Sequence, residues 1–361
     1  MKVNGKPSRT IWLEPDGWSV GIIDQTQLPH RVALARLTGL SDAVRAIASM
    51  QVRGAPLIGA TAAYGMCLAL RADSSDEAIE SAYRALLAAR PTAVNLKWAL
   101  DEMLAAVRNR PRQERLAIAY QRAAEICDED VGINRAIGRH GAELIAAAAK
   151  KKSGAPVQVL THCNAGWLAT VDFGTALAPI YVAHENGLAV HVWVDETRPR
   201  NQGAALTAWE LGQEQIAYTV IADNTGGHLM QHGMVDMIIV GTDRVAANGD
   251  VCNKIGTYLK ALAASDNAVP FYVAAPSPSI DHSVSDGLTE IPIEQRAENE
   301  VATVTGRTAD GRIESVRIVP EGSQVANYAF DVTPARLITG LITERGIVAP
   351  TREALAAFRS Q

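Results

Sequence analysis

Two short polar motifs carry the residue types that acid–base chemistry requires. One is Thr161–Gly166, with the letters THCNAG, and the other is Gly241–Arg244, with the letters GTDR. Each follows directly on an apolar run that predicts a buried parallel strand. Ligands of open α/β sheets bind outside the carboxyl ends of the strands. A thiol, Cys163, and a carboxylate, Asp243, at two such ends can therefore converge on one small molecule.

Both residues also have ordinary structural explanations. A free cysteine is often simply packed in a core, and an aspartate after a strand commonly caps a helix or pairs with a neighbour such as Arg244. His162 need not be the partner of Cys163, because successive strand residues point to opposite faces of a sheet. Amide donors in the turn at Cys163, or the N-terminus of a following helix, would lower the pKa of the thiol and make it a proton shuttle.

Two further segments have the composition of anion sites. In the sequence VRGAP, Gly54 permits a close approach of the backbone, Pro56 begins a helix, and Arg53 offers a guanidinium fork that fits a phosphate. Asn253 and Lys254 fall at the predicted start of another helix, where backbone N–H groups and an ammonium group can bind an anion. These two segments predict a phosphorylated ligand.

Two other polar residues extend this set. Arg90, just before Pro91, supplies a further cation, and Gln202 has a side chain that can hydrogen-bond a sugar hydroxyl. Helix capping explains any one of these residues taken alone, so the prediction depends on their occurring together.

Composition limits the class of protein. The 361 residues are 48% hydrophobic and 20% charged, with a net charge of -5, which is typical of a globular protein and gives no basic surplus for a nucleic-acid partner. The four cysteines have no CxxC or metal-type spacing, so no metal is predicted. The N-terminus lacks the apolar core of a signal peptide, and no membrane span is predicted. We therefore expect a cytoplasmic protein with free thiols.

The elements that would position these residues fall into two regions. Residues 10–34 predict short strands, and apolar residues at three- and four-residue intervals then predict helices, ending in a long one over about 130–150. After Pro156, strands alternate with helices, as in βαβ units of a parallel sheet. No GxGxxG motif follows the first strand, so we expect an α/β fold with a Rossmann-like sheet that lacks the dinucleotide fingerprint. Two domains are predicted. The first, over 1–130, has short β-strands followed by a mostly helical part, and the second, over 131–361, is Rossmann-like.

The predicted elements have the following bounds. Helices of the first region are expected at 43–50, 56–70, 76–89, 95–108 and 112–127. Strands of the second region are expected at 157–161, 189–194, 217–221, 237–240 and 270–274. Helices between them are expected at 175–186, 202–212, 226–232 and 253–264, followed by strand character at 313–319 and a closing helix at 334–345.

The order of these motifs resembles that of the methylthioribose-1-phosphate isomerase family of the methionine salvage pathway. The resemblance runs from about residue 10 to the last predicted helix and so covers nearly the whole chain. Several ordered blocks are more specific than any single one. The blocks are Arg53–Pro56, Pro91–Leu96, Thr161–Gly166, Glu196–Pro199 with Gln202–Ala204, Gly241–Arg244 and Asn253–Thr257.

The resemblance implies an aldose–ketose isomerase that converts 5-methylthioribose 1-phosphate into 5-methylthioribulose 1-phosphate. Cys163 and Asp243 match the two catalytic positions of the family. The positions that match its substrate-binding residues are Arg53, Gly54, Ala55, Arg90, Gln202, Asn253 and Lys254. The family further implies a homodimer without a metal or nucleotide cofactor, whose partner is a small sugar phosphate.

Several alternatives stay open at this point. Cys163 and Asp243 could exchange their acid and base roles, and a hydride transfer from C2 to C1 competes with a proton relay. Ribose 1,5-bisphosphate or 5-deoxyribose 1-phosphate are other substrates for the same chemistry. A non-catalytic regulatory subunit of a translation-initiation exchange factor would share the fold, but the presence of both Cys163 and Asp243 favours the enzyme.

Overall fold

The computed structural model describes residues 1–91 and 93–359, and the side chains of these residues apart from Arg359. Thr92 of the Pro91–Leu96 block and the last two residues of the predicted second domain lie outside this range. The chain begins with five short strands: β1 (Lys2–Val3), β2 (Lys6–Pro7), β3 (Ile11–Leu13), β4 (Val20–Ile23) and β5 (Leu34–Leu37). Five helices follow: α1 (Leu40–Ala48), α2 (Ala55–Ala72), α3 (Asp76–Ala89), α4 (Val94–Val107) and α5 (Arg112–Ala149).

The α2 helix is the centre of the first hydrophobic core. It packs against all four of the other helices of this region and is apolar on every side, as expected of a fully surrounded helix. Its 18 residues and mean hydropathy of 1.2 would also suit a membrane span, but 78% of it is buried inside the protein. We therefore interpret α2 as a core helix.

The α5 helix joins the first region to the second without a break. The sequence predicts two helices, over 112–127 and about 130–150, whereas the structure has one helix of 38 residues, about 57 Å long. Its first half packs in the N-terminal core as far as Val131, and its second half packs against the central sheet from Ile137 onward. The predicted division of the chain near residue 130 falls inside this helix and stays a prediction.

The second region alternates strands with helices. Its strands are β6 (Val157–Thr161), β7 (Val190–Asp195), β8 (Ala217–Ile221), β9 (Met237–Val240), β10 (Arg244–Ala246), β11 (Val251–Lys254), β12 (Phe271–Ala274), β13 (Ile280–Asp281), β14 (Thr303–Arg307), β15 (Ile313–Arg317), β16 (Phe330–Thr333), β17 (Gly340–Thr343) and β18 (Gly346–Val348). Its helices are α6 (Ala178–Glu185), α7 (Ala208–Gln213), α8 (Thr225–Gln231), α9 (Thr257–Asp266), α10 (Gly287–Glu290), α11 (Asn299–Ala302) and α12 (Arg352–Arg359).

The central sheet has the strand order β8-β7-β6-β9-β12-β17-β18. All pairs are parallel except β17 with β18. Without β18, the order is that of a doubly wound Rossmann sheet, whose direction of winding reverses between β6 and β9. Because successive side chains of a strand point to opposite faces, Val159 packs on the face covered by α5 and α6, and Leu160 packs on the face covered by α8 and α9. The predicted fold class is therefore confirmed.

A smaller sheet, in the order β13-β10-β11-β16, lies beyond the carboxyl end of β9. The sequence prediction was wrong here, because Asn253 and Lys254 end strand β11 and do not begin a helix; α9 begins only at Thr257. The predicted closing helix over 334–345 was also wrong, since this segment holds a short 3-10 turn and strand β17. A fully buried strand is a short apolar run without alternation, which periodicity alone does not distinguish from a helix.

Candidate active site

Almost all of the predicted site residues line a single pocket. The pocket lies at the reversal point of the sheet, where Cys163 follows β6 and Asp243 follows β9. This is where open α/β sheets bind ligands. The predicted residues that line it are Arg53, Gly54, Ala55, Arg90, Cys163, Gln202, Asp243 and Lys254.

Asn253 is the predicted residue that the pocket lining does not include. It neighbours Lys254 on β11, so the two side chains point to opposite faces of the strand. The Asn253 amide donates a hydrogen bond of 3.0 Å to the hydroxyl of Thr257 at the start of α9. Its role in substrate binding therefore stays a prediction.

Cys163 is held in a strained backbone conformation at the end of β6. Its φ is 68°, in the left-handed region, which costs a non-glycine residue about 1–3 kcal/mol and is concentrated at functional sites. Its N–H donates to the Thr197 hydroxyl at 2.8 Å, and its carbonyl accepts from the Thr207 hydroxyl at 2.8 Å. Cys163 is 7% exposed and lines the pocket.

One of the two predicted sources of thiol activation, the N-terminus of a following helix, was wrong, and the other, amide donors of the turn, stays a prediction. The amide of Cys163 is already used by Thr197, and the next helical segment is only the short 3-10 turn Trp167–Ala169, so no α-helix N-terminus follows the thiol. The nearby positive charge comes from Lys254, which interacts electrostatically with Cys163 and Asp243. A buried ammonium group therefore acts on both the thiol and the carboxylate of this pocket.

Asp243 is positioned by the turn between β9 and β10. Its N–H donates to the Cys252 carbonyl at 3.0 Å, and the hydroxyl of Thr242 donates to the same carbonyl at 3.1 Å. Because strand β10 begins at Arg244, Asp243 does not cap a helix, so the capping explanation does not apply.

Four cationic side chains line the pocket beside the thiol and the carboxylate, namely Arg53, Arg90, Arg244 and Lys254. Burial lowers the pKa of Arg90, and the nearby charge of Arg53 lowers it further, whereas Asp243 opposes the shift. Burial likewise lowers the pKa of Lys254, whose ammonium group lies 4.3 Å from the centre of the Phe330 ring. Buried charges are costly unless they are paired. An anionic ligand would supply the missing negative charge.

The N-terminus of α2 supplies the other part of an anion site. Gly54 precedes the helix with a φ of +87°, no side chain caps the first turn, and Pro56 occupies its start. Backbone N–H groups at such an end bind phosphate groups. The Cβ of any other residue at position 54 would lie 2.3 Å from the carbonyl oxygen of Ala169, so this close approach requires glycine.

The predicted bidentate contact of Arg53 with a phosphate needs a correction. Its two terminal nitrogens donate to Asn164, at 2.5 Å to the side-chain oxygen and 2.6 Å to the backbone carbonyl. The guanidinium has five N–H donors, so it can still bind an anion through the remaining ones. Arg53 thus holds the loop after β6 and faces the pocket at the same time.

Gln202 fits the predicted role in binding a hydroxyl group. Its side chain is buried in the pocket lining, and its Oε1 atom has no hydrogen-bond partner among the described residues. A buried acceptor without a donor is costly. A sugar hydroxyl would supply the donor.

A buried charged network that sequence reasoning missed lies behind Cys163. His162 bonds Asp195 at 2.8 Å through Nδ1 and the Ile255 carbonyl at 2.7 Å through Nε2. The ammonium group of Lys260 lies 3.0 Å from Asp195 and also donates to the backbone carbonyl of Asp223. His162, Asp195 and Asp223 could together ligate a metal ion. The Lys260 ammonium already supplies a cation at this cluster.

Comparisons with known proteins show the family to which the chain is similar. Residues 51–350 match the Initiation factor 2 subunit family. A protein of Paramagnetospirillum magneticum called methylthioribose-1-phosphate isomerase is 64% identical over 98% of both chains, and one of Rhodospirillum centenum with the same name is 64% identical over 99% of this chain and 96% of its own.

Solved structures match over the full length as well. The 5-methylthioribose 1-phosphate isomerase of Pyrococcus horikoshii OT3 superposes with a TM-score of 0.84 at 40% identity, covering 99% of this chain and 97% of that one. The delta subunit of translation initiation factor eIF-2B from A. fulgidus superposes with a TM-score of 0.79 at 37% identity, covering 96% and 97%.

The fold and the match over 51–350 define the class of protein, that of Rossmann-like chains of the Initiation factor 2 subunit type. Within this class, the chain belongs to the methylthioribose-1-phosphate isomerase family.

The contact at Gly54 predicts a specific cost of adding one methyl group. In Gly54→Ala, the new Cβ meets the backbone of Ala169, and the positive φ is strained as well. We expect the free energy of unfolding to fall by more than about 3 kcal/mol in urea titrations. The matched control is Gly17→Ala, because Gly17 has a φ of +77° with nothing within 4 Å of its added Cβ. It should lose only about 1–2 kcal/mol. Equal losses in both variants would show that the α2 N-terminus is not tightly packed.

Proposed function

We propose that this chain is the isomerase of methionine salvage that converts 5-methylthioribose 1-phosphate into 5-methylthioribulose 1-phosphate. The observation that carries the proposal is the meeting of Cys163 and Asp243 in one pocket between buried cations. The names of relatives at 64% identity support the substrate.

The chemistry requires an acid and a base on one sugar. A phosphate on the anomeric carbon prevents ready opening to the free aldehyde, so the bond between C1 and the ring oxygen must break with the phosphate retained. The ring oxygen gains a proton, a hydrogen moves from C2 to C1, and the C2 hydroxyl becomes a carbonyl group. No electrons enter or leave, which is consistent with a reaction that needs no redox cofactor.

The pocket offers one group for each of these tasks. We assign Asp243 to acid–base work at the ring oxygen or O2, and Cys163 to the transfer between C2 and C1. Solvent deuterium on C1 after the reaction in deuterated water supports a proton relay, whereas its absence is also consistent with a relay that is shielded from solvent. If the hydrogen instead moves as a hydride directly from C2 to C1, Cys163 does not take part in this transfer. The buried ammonium group of Lys254 interacts electrostatically with both groups, Asp243 and Cys163.

The variants Cys163→Ser and Asp243→Asn test the assignment. Each should lower kcat by about 10²–10⁴-fold, because it weakens or removes one acid–base group. The matched control is Cys67→Ser, which changes a thiol buried in the N-terminal core, away from the pocket. Near-full turnover by Cys163→Ser would contradict the role of the thiol. A wild-type chain that binds the sugar phosphate without converting it would instead support a regulatory subunit.

Apart from Arg244, which pairs with Asp281 at 3.4 Å, the remainder of the pocket wall is apolar. It includes Met50, Ile58, Ile291 and Phe330, all of them buried. An apolar wall suits a methylthio group, whereas a second phosphate group would have to be desolvated against it. The wall therefore favours the methylthio sugar over ribose 1,5-bisphosphate.

Steady-state kinetics with three sugar phosphates test this preference. We expect kcat/KM to be highest for 5-methylthioribose 1-phosphate. The 5-deoxy sugar should follow about 10–200-fold lower, because it loses the contacts of the methylthio group. Ribose 1,5-bisphosphate should be lowest. A higher kcat/KM for the bisphosphate would contradict the proposed substrate.

We also propose a homodimer in the cytoplasm. All four cysteines are free and buried, which suits a reducing compartment. Strand β8 ends the central sheet with Tyr218 and Val220 exposed by 39% and 42%, although parallel sheets are normally covered on both faces. Light scattering should give twice the chain mass of 38.5 kDa, and Val220→Glu should shift the mass toward the monomer. A monomeric wild-type mass would contradict the dimer.

A further inference from the structure

Arg53 enters the pocket from the N-terminal region but donates its hydrogen bonds to a residue of the other region. Both of its terminal nitrogens donate to Asn164, which is 111 positions further along the chain. The guanidinium is planar and rigid, so these two contacts fix the direction of its remaining N–H donors. The orientation of Arg53 therefore depends on the orientation of the Asn164 side chain.

Asn164 is itself held in one of its two amide orientations. Its Oδ1 accepts from Arg53, and its Nδ2 donates to Glu210 at 2.8 Å and to the Thr207 hydroxyl at 3.2 Å. A rotation of the amide by half a turn would set its NH2 group against the guanidinium and its oxygen against a carboxylate. Glu210 thus selects the orientation that binds Arg53.

Glu210 is a fully buried carboxylate that accepts four hydrogen bonds. Its Oε1 accepts from Asn164 and from the amide of Leu168 at 3.1 Å, and its Oε2 accepts from the amide of Trp167 at 2.9 Å and the hydroxyl of Tyr181 at 2.6 Å. Burial raises the pKa of Glu210, and these hydrogen bonds oppose the shift. Each oxygen serves one backbone N–H, so an amide side chain cannot replace the carboxylate without leaving a donor unpaired.

We propose that Asn164 and Glu210 are positioning residues for Arg53. The amide of Asn164 orients the Arg53 guanidinium toward the substrate phosphate. The carboxylate of Glu210, on the other side of that amide, supplies the buried negative charge that balances the guanidinium. This inference rests on the isomerase function proposed above and adds two residues outside the predicted site. Neither side chain lines the pocket, so both act through Arg53.

The positioning of Arg53 by Glu210 through Asn164 is called the relay below. A double-mutant cycle between positions 53 and 210 tests it. Glu210→Gln alone should raise KM about tenfold or more and leave kcat nearly unchanged, because it loosens a group that binds the phosphate throughout the reaction. In the Arg53→Met background, the same change should alter KM less than about twofold. Effects of the two substitutions that simply multiply would overturn the proposal.

Tyr181→Phe is the matched control, because it removes a donor from the Glu210 oxygen that does not face Asn164. It should lower the thermal stability but leave KM within about twofold of the wild type. An equal rise in KM for Tyr181→Phe would indicate a merely structural role and contradict the relay. If Glu210→Gln does not fold, Asn164→Ala replaces it in the cycle with the same expected outcomes.

Wild-type turnover separates this proposal from the proposed function. If the wild type converts the sugar phosphate, the cycle tests the relay alone. If it does not, the proposed function fails, and the same variants are compared by the dissociation constant of inorganic phosphate. If the relay is correct, the substitutions at positions 53 and 210 again weaken phosphate binding non-additively. Additive weakening of phosphate binding overturns the relay.

Discussion

The close packing of the α2 N-terminus against the loop after β6 is the constraint on which the pocket depends. The backbone at Gly54 lies so near Ala169 that no side chain fits between them. The same contact places Arg53 on Asn164 and brings the start of α2, whose amides no described side chain caps, beside Cys163. The two regions of the chain therefore build one site, although their hydrophobic cores are separate.

This packing brings together the charged groups that would bind the substrate and act on it. Arg53 and Lys254 are buried and Arg90 is half-buried around a thiol and a carboxylate, in a place where water screens charge poorly. In the free pocket, the desolvation of these cations is unfavourable in free energy, and a phosphate group offsets that cost when it binds. The same cations then stabilise negative charge that develops on the sugar, so binding and acid–base chemistry use one set of charges.

Much of the fold and of the site could be predicted from the sequence, because the signals are local. Strands β6, β8 and β9 are short apolar runs that end at polar motifs, and parallel strand ends must share one edge of the sheet. The errors at 253–254 and 334–345 arose because short buried strands lack a distinctive period. The contact of Arg53 with Asn164 could not be predicted, since residues 111 positions apart meet only through the packing of whole helices. The same holds for the burial of Glu210, whose sequence neighbours suggest an ordinary helix surface.

The central claim is that Cys163 and Asp243 act on C1, C2 and the ring oxygen of a sugar whose phosphate lies at the start of α2. A crystal structure of the Cys163→Ala variant with bound 5-methylthioribose 1-phosphate tests it most directly. The account predicts the phosphate within hydrogen-bond distance of the Gly54 or Ala55 amide, with C1 and C2 between the position of residue 163 and the Asp243 carboxylate. A phosphate bound away from α2, with C1 and C2 out of reach of both residues, would contradict it.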